Sequence, residues 1–225
     1  MDDKLESEII ESWSRNVDPW IRAIRSHEIE SRNLVTNRAV IEAVLGLDPR
    51  TVLDIGCGEG WLVRELENKG IDVLGIDAIP EFIEAAKSEG NGRYRTLNYG
   101  ELSFATVGEK FDVLVCNFSL FGDESVLSLF RSAAELLNNG GSLIIQTLHP
   151  TYAAGEGQTE DGWRSGSWEG FNGEFRDPVP WYFRSTESWK SLFTQFGFES
   201  LDRIEPVIPE TELPASIIFS GRRGS

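Results

Sequence analysis

Apolar positions change their period along this chain, and the changes mark its elements. Leu5, Ile9, Trp13, Val17, Trp20, Ile21 and Ile24 recur at helical spacing with one apolar face. Within that run Asp18-Pro19 predicts a second helix start, with Asp18 as N-cap and Pro19 at the first helical position. Another helix is predicted over about 31–45, with Leu34, Ala39, Val40, Ile41 and Val44 as its stripe. At Thr51 the helical period stops. Thr51, Val52, Leu53 and Ile55 form a short β-branched, apolar run, the pattern of a strand buried on both faces. Similar runs at 71–77, 93–97, 111–116 and 142–147 alternate with helical stretches. One of these, marked by Leu127, Phe130, Ala134 and Leu137, stops before Gly140-Gly141. A helix over 186–196 turns Trp189, Leu192, Phe193 and Phe196 inward and ends at Gly197, and strands over 198–204 and 215–220 follow. Strand and helix in alternation predict a doubly wound, Rossmann-like α/β sheet with ligands at the strands' carboxyl ends.

The turn after the first strand carries the chemistry. Gly56, Gly58 and Gly60 follow one another in IGCGEGW, where a missing Cβ permits unusual backbone angles and close approach to a ligand. A dinucleotide fingerprint would place its third glycine where Trp61 stands and seat a pyrophosphate on the helix N-terminus. Asp54 and Glu59 would repel a pyrophosphate but meet a cationic amino group. A ligand with an amino-acid end and an adenosine end fits better, and that ligand is S-adenosylmethionine. Asp77 ends the second strand 21 residues after Gly56, the offset at which an acid meets ribose hydroxyls. The competing reading is a cap for the helix that opens at Pro80; the two roles are compatible, and its place in the motif favours the ribose. Ala78 and Ile79 would pack beside the adenine.

VLDIGCGEG resembles the first motif of the class I S-adenosylmethionine-dependent methyltransferases, and the match runs from about Thr51 to Thr147. The nearest likeness is the small-molecule branch, including enzymes that methylate quinone precursors. The resemblance implies a seven-stranded sheet, mostly parallel with the last strand antiparallel. It also implies cofactor contacts from Asp54, Gly56, Cys57, Gly58, Asn117 and Phe118. Asn98 stands where the family often has an acid on the adenine amino group, and Tyr99 follows it. N-terminal helices in the family commonly lie over the cofactor mouth. Of Arg25, Arg32 and Arg38, Arg32 is favoured for a carboxylate contact, and plain packing of these helices is the competing reading. Asn117-Phe118-Ser119-Leu120 departs from the Asn-Pro-Pro-aromatic motif of enzymes that methylate base amines.

Charge narrows the partners further. The 225 residues hold 21 basic and 37 acidic side chains, a formal charge of −16 that repels nucleic acid and anionic membranes. Two cysteines, Cys57 and Cys116, suit reduced thiols, and no metal-ligand spacing is present. With no apolar signal region or spanning segment, a cytoplasmic protein is expected, monomer or homodimer, acting on a small molecule.

One domain is expected throughout: a helical cap over 1–46, a cofactor core over 51–147, a loop over 148–185, and a helix with strands over 186–222. The loop has little periodicity and many aromatic residues, so it reads as a lid over the substrate, or else as a small hairpin with its own aromatic core. Tyr152, Trp181 and Arg184 are its substrate-binding candidates, and a surface ion pair competes for Arg184. His149, just past the fifth strand, is the candidate general base, or an anchor for the loop. Methyl transfer to an oxygen or nitrogen, ahead of carbon, is the expected reaction. The rivals are a cofactor-binding subunit without catalysis and a nicotinamide-dependent oxidoreductase.

Overall fold

The computed structural model describes residues 2–153, 159–171 and 174–224. Seven strands form one sheet in the order β3-β2-β1-β4-β5-β9-β8. In chain order these are β1 (Thr51–Ile55), β2 (Asp72–Asp77), β3 (Arg93–Thr96), β4 (Phe111–Asn117), β5 (Leu137–Thr147), β8 (Phe198–Ile204) and β9 (Ile217–Arg223). β1 to β5 run parallel, and β9 is antiparallel to both β5 and β8. The order reverses between β1 and β4, which leaves a crevice beyond their carboxyl ends.

Alternate residues of the buried strands feed two cores. Leu53, Ile55 and Leu114 face α7 (Glu124–Leu136) and α9 (Thr186–Gln195), where Phe130 and Phe193 pack edge to face at 5.1 Å. Val52, Val113 and Ile144 face α3 (Asn37–Leu45) and α4 (Trp61–Glu67) through Val40, Val44, Leu62 and Val63. Leu53 and Val52 are both fully buried, as a strand covered on both faces requires.

Several boundaries differ from the sequence pattern, each for a long-range reason. The break between α1 (Asp2–Arg15) and α2 (Val17–Arg25) falls at Asn16, not at Asp18. The buried Asn16 amide donates to the carbonyls of Ser12 and Arg176, both at 2.7 Å, and accepts from Arg176 N–H at 2.8 Å. Pro19 sits in the first turn of α2, where its missing N–H leaves nothing unpaired. The segment predicted as one helix over 31–45 opens with a π-helical turn at Arg32–Thr36, a wider coil common at functional sites. β5 begins at Leu137, well before the predicted start, because Leu137 pairs with Phe111 before Gly140 (φ +73°) breaks the register. The final strand is shifted to Ile217–Arg223.

The segment between β5 and α9 holds a short helix α8 (Pro150–Ala153) and an antiparallel pair, β6 (Gly162–Arg164) with β7 (Trp181–Phe183). Trp168, Phe171 and Phe175 stack among themselves at 4.7–5.7 Å. The same cluster reaches Trp13 at 5.5 Å and Trp20 at 6.1 Å. It therefore packs against α1 and α2. Among the described residues no helix is long and apolar enough to cross a membrane.

Candidate active site

A cavity of about 390 Å³ lies over the carboxyl ends of β1, β2 and β4, within the usual size range of small-molecule sites. Its floor is the glycine turn with Asp77, and its roof is Ile9, Ile10 and Trp13 of α1 with Trp20 and Ile24 of α2. No described residue from 148–185 lines it. The roof belongs to the N-terminal helices, and Trp168 and Phe171 of the aromatic segment pack against its two tryptophans. Trp13, Trp20, Glu6 and Phe121 were not among the site residues expected from sequence. The signal for the two tryptophans was the apolar face of the first helical run, which reads the same whether it covers a core or a ligand; Glu6 and Phe121 left none.

Local structure explains the floor. Gly56 has φ +78°, and a Cβ there would lie 2.3 Å from the Ser119 Cβ, so both conformation and contact demand glycine. Ser119 donates to the carbonyl of Ile55 at 2.7 Å and its own carbonyl accepts from the Tyr99 hydroxyl at 3.0 Å. The turn is thereby clamped to the end of β4. Phe118 adopts φ +52° while its N–H donates to Gln146 O at 2.8 Å. A bulky side chain held left-handed costs on the order of 1–3 kcal/mol and is characteristic of functional sites.

The expected cofactor residues Gly56, Cys57, Gly58, Asp77, Ala78 and Ile79 all line the cavity. So do Asn98, Tyr99, Asn117, Phe118 and Arg32. The Asp77 carboxylate accepts from Gly58 N–H and from Ile79 N–H, which makes it a partner of the α5 (Pro80–Ser88) start as well as of the turn. Asn98 caps a short 3₁₀ turn through Glu101 N–H at 3.1 Å, so one lone pair of its side-chain oxygen is already used. Burial pushes the thiols of Cys57 and Cys116 well above their ordinary range, which makes them inert packing groups.

Two buried polar atoms in this lining lack partners among the described residues. Arg32 is 7% exposed, lies 4.8 Å above the Trp61 ring, and leaves Nη2 without a hydrogen bond. Burial lowers its pKa to about 10 against the pull of Glu59 and Asp54, so it stays charged at neutral pH. Asn117 Oδ1 is the second orphan. A buried donor on a cation and a buried acceptor suit a ligand that carries a carboxylate and an ammonium group.

Other expectations are redrawn. Glu59 does line the cavity, but its carboxylate is held by Arg64 at 2.7 Å and by Arg25 at 3.3 Å rather than offered to an amino group. Asp54 is buried below the lining with Oδ2 unpartnered among the described residues. Arg38 pairs on the surface with Glu42.

Arg184 is neither in the lining nor a surface pair. At 4% exposure it donates to Gly122 O at 2.8 Å and to Asp123 O at 3.1 Å, pairs with the Asp123 carboxylate, and lies over the Tyr182 ring. Trp181 packs edge to face against Phe183 at 5.9 Å and does not line the cavity. The Tyr152 side chain lies outside the described residues. His149 does not line the cavity, and its Nε2 lies 3.5 Å from a Glu205 carboxylate oxygen. Among the described residues no group of three His, Cys, Asp or Glu side chains is placed to hold a metal ion.

Residues 27–202 match the model of the methyltransferase-domain family. The ubiquinone biosynthesis O-methyltransferase of Xanthomonas oryzae pv. oryzae is 33% identical over 119 residues, 51% of this chain and 49% of that one. Its namesake from Histophilus somni is 31% identical over 117 residues, 48% of this chain and 49% of the relative. The chain thus spans about half the length of the curated relatives it matches. Among solved structures, a Burkholderia thailandensis 1,6-didemethyltoxoflavin-N1-methyltransferase superposes with TM-score 0.70 at 18% identity, covering 100% of this chain and 91% of that one. A putative S-adenosylmethionine dependent methyltransferase from Listeria monocytogenes gives TM-score 0.64 at 21% identity over 78% and 92%. These likenesses show the fold. With the family match across most of the chain, and a glycine turn at the switch point of a sheet in this order, the chain belongs to the methyltransferase-domain family of class I S-adenosylmethionine-dependent methyltransferases.

Proposed function

We propose that this protein transfers a methyl group from S-adenosylmethionine to an oxygen or nitrogen atom of a small molecule. The observation that carries this reading is the pair of orphaned atoms in one cavity, Arg32 Nη2 and Asn117 Oδ1. A buried guanidinium without a partner is costly unless a ligand supplies one, and the amino-acid end of this cofactor supplies both a carboxylate and an ammonium. The Asp77 carboxylate accepts backbone hydrogen bonds from Gly58 and Ile79 on different oxygens, and its remaining acceptor capacity suits ribose hydroxyls. Asn98, Ala78 and Ile79 stand beside it for the adenine, and Gly56 and Gly58 leave room for close approach of the chain.

When bound, the cofactor supplies a methyl group already activated on a sulfonium. The protein's own task is then to position the reactants and exclude water. Holding two reactants in place is worth up to roughly 7–11 kcal/mol of barrier. The α1–α2 roof, with Trp13 and Trp20 half-buried above the glycine turn, provides the exclusion. Aromatic faces in the lining add attraction for a cation. The relatives' names point to oxygen and that of the Burkholderia structure to nitrogen, so both atoms remain within the proposal.

Calorimetric titration with S-adenosylmethionine, followed by assay of S-adenosylhomocysteine release against a metabolite extract, tests the reading. A product heavier by one methylene identifies the acceptor. Failure to bind the cofactor overturns the proposal, and binding without product release from any extract favours a non-catalytic subunit.

A further inference from the structure

The residues assigned to the cofactor leave one wall of the cavity unused. Glu6, Ile10 and Trp13 of α1 build it, together with Phe121 and Gly122 from the β4–α7 connection. These pieces are contiguous. The Trp13 ring lies 5.5 Å from that of Phe121. Glu6 Oε1 accepts from the N–H groups of Asp123 at 2.6 Å and Glu124 at 2.9 Å, which fastens α1 to the N-terminus of α7 right beside Gly122. Glu6 Oε2 accepts no hydrogen bond among the described residues.

The charge on this wall is one-sided. Arg184 reaches the back of the same connection, but it bonds Gly122 O and Asp123 there, pairs with the Asp123 carboxylate, and does not line the cavity. Among the described residues Arg32 is the one cation in the lining, and it is matched to the cofactor. An anionic group brought against this wall would meet a carboxylate and two rings and lose its water, while the cation behind the wall, Arg184, is already paired with Asp123 and acts on Glu6. A flat ring gains contact with Trp13 and Phe121, and a donor on it gains a charge-assisted hydrogen bond to Oε2. The protein's net charge of −16 acts in the same direction.

We propose that this wall is the methyl-acceptor site, and that the acceptor is a flat aromatic or heteroaromatic molecule with an N–H or O–H donor and no carboxylate, phosphate or sulfate group. The inference rests on the methyltransferase reading, and the experiment separates the two. Calorimetry with S-adenosylhomocysteine comes first, and failure there counts against the methyltransferase reading. In protein saturated with that compound, ligand-observed NMR then measures binding of a hydroxycoumarin, an aminoquinoline and the carboxylate derivative of each.

The neutral rings are expected to bind at least about tenfold tighter than their carboxylates, and Trp13→Ala to weaken them by about tenfold. Glu6→Gln keeps an oxygen for the α7 N–H groups and removes the charge, so it should narrow the gap between each neutral ring and its carboxylate. Circular dichroism and S-adenosylhomocysteine affinity report whether each variant keeps its cavity. Equal or tighter binding of the carboxylates overturns the proposal. So does unaltered probe binding in both variants, or no probe binding at all to protein that holds S-adenosylhomocysteine.

Discussion

The carboxylate of Asp77 accepts hydrogen bonds from the backbone N–H groups of Gly58 and Ile79, each at 2.9 Å. One side chain therefore ties the glycine turn after β1 to the start of α5. Burial raises its pKa to about 6, against those backbone bonds, which lower it. Asp77→Ala should weaken S-adenosylmethionine binding by about 1.5–3 kcal/mol, the usual worth of hydrogen bonds to a charged group, and lower the thermal midpoint by loosening the turn. Calorimetry that finds native affinity in a folded variant would remove Asp77 from the ribose site.

Arg32 should separate stability from binding. Its guanidinium is buried with Nη2 unpaired, and the attraction of Glu59 and Asp54 offsets only part of the desolvation that opposes folding. Arg32→Met keeps a side chain of similar length near Trp61 without the charge. The thermal midpoint of the ligand-free protein is expected to hold or rise, while cofactor affinity falls by roughly ten- to a hundredfold. A parallel loss of stability with unchanged affinity would make Arg32 a structural residue.

Asp54 gives a pH signature. Burial first, and then the charge of Asp77, raise its pKa to about 8, with Arg32 acting in the opposite sense. A carboxyl whose pKa is raised by folding favours the folded state below its unfolded value near 4. That contribution is lost as pH climbs through about 8. Asp54→Asn has no such proton to lose. The variant should therefore gain stability relative to the native protein as pH rises from about 4 to about 8, in denaturation curves taken across that window. A constant difference would mean that Asp54 titrates normally.

His149 pairs with Glu205 and lies outside the cavity lining. His149→Gln is expected to keep turnover within a few-fold of native across the pH profile once an acceptor is known. A general base is worth about 10²–10⁴-fold, so a loss of that size with both ligands still bound would restore His149 as the base.

Local patterns were enough for the core of this fold. The bounds of β1 and the glycine turn follow from a continuous apolar run broken by three glycines, because strand burial and left-handed turns each leave a mark on adjacent residues. The acid at Asp77 was legible for the same reason, since its distance from the turn is fixed by one helix and one strand. The sequence alone could not rank its arginines. Arg32 and Arg184 were both candidates to grip an anion, and their neighbours in the chain do not distinguish them. Folding brings Gly122 O and Asp123 to Arg184 as partners, and brings Trp61 under Arg32 without a partner for Nη2. Nor could local spacing show that the described aromatic residues after β5 pack against Trp13 and Trp20 without lining the cavity themselves. That depends on Asn16, whose buried amide binds the backbone of Arg176 across 160 residues of chain and leaves the cavity wall to α1 and α2. Hydrogen-bond partners so distant leave no period in the sequence, because only the packed chain decides which buried polar groups meet.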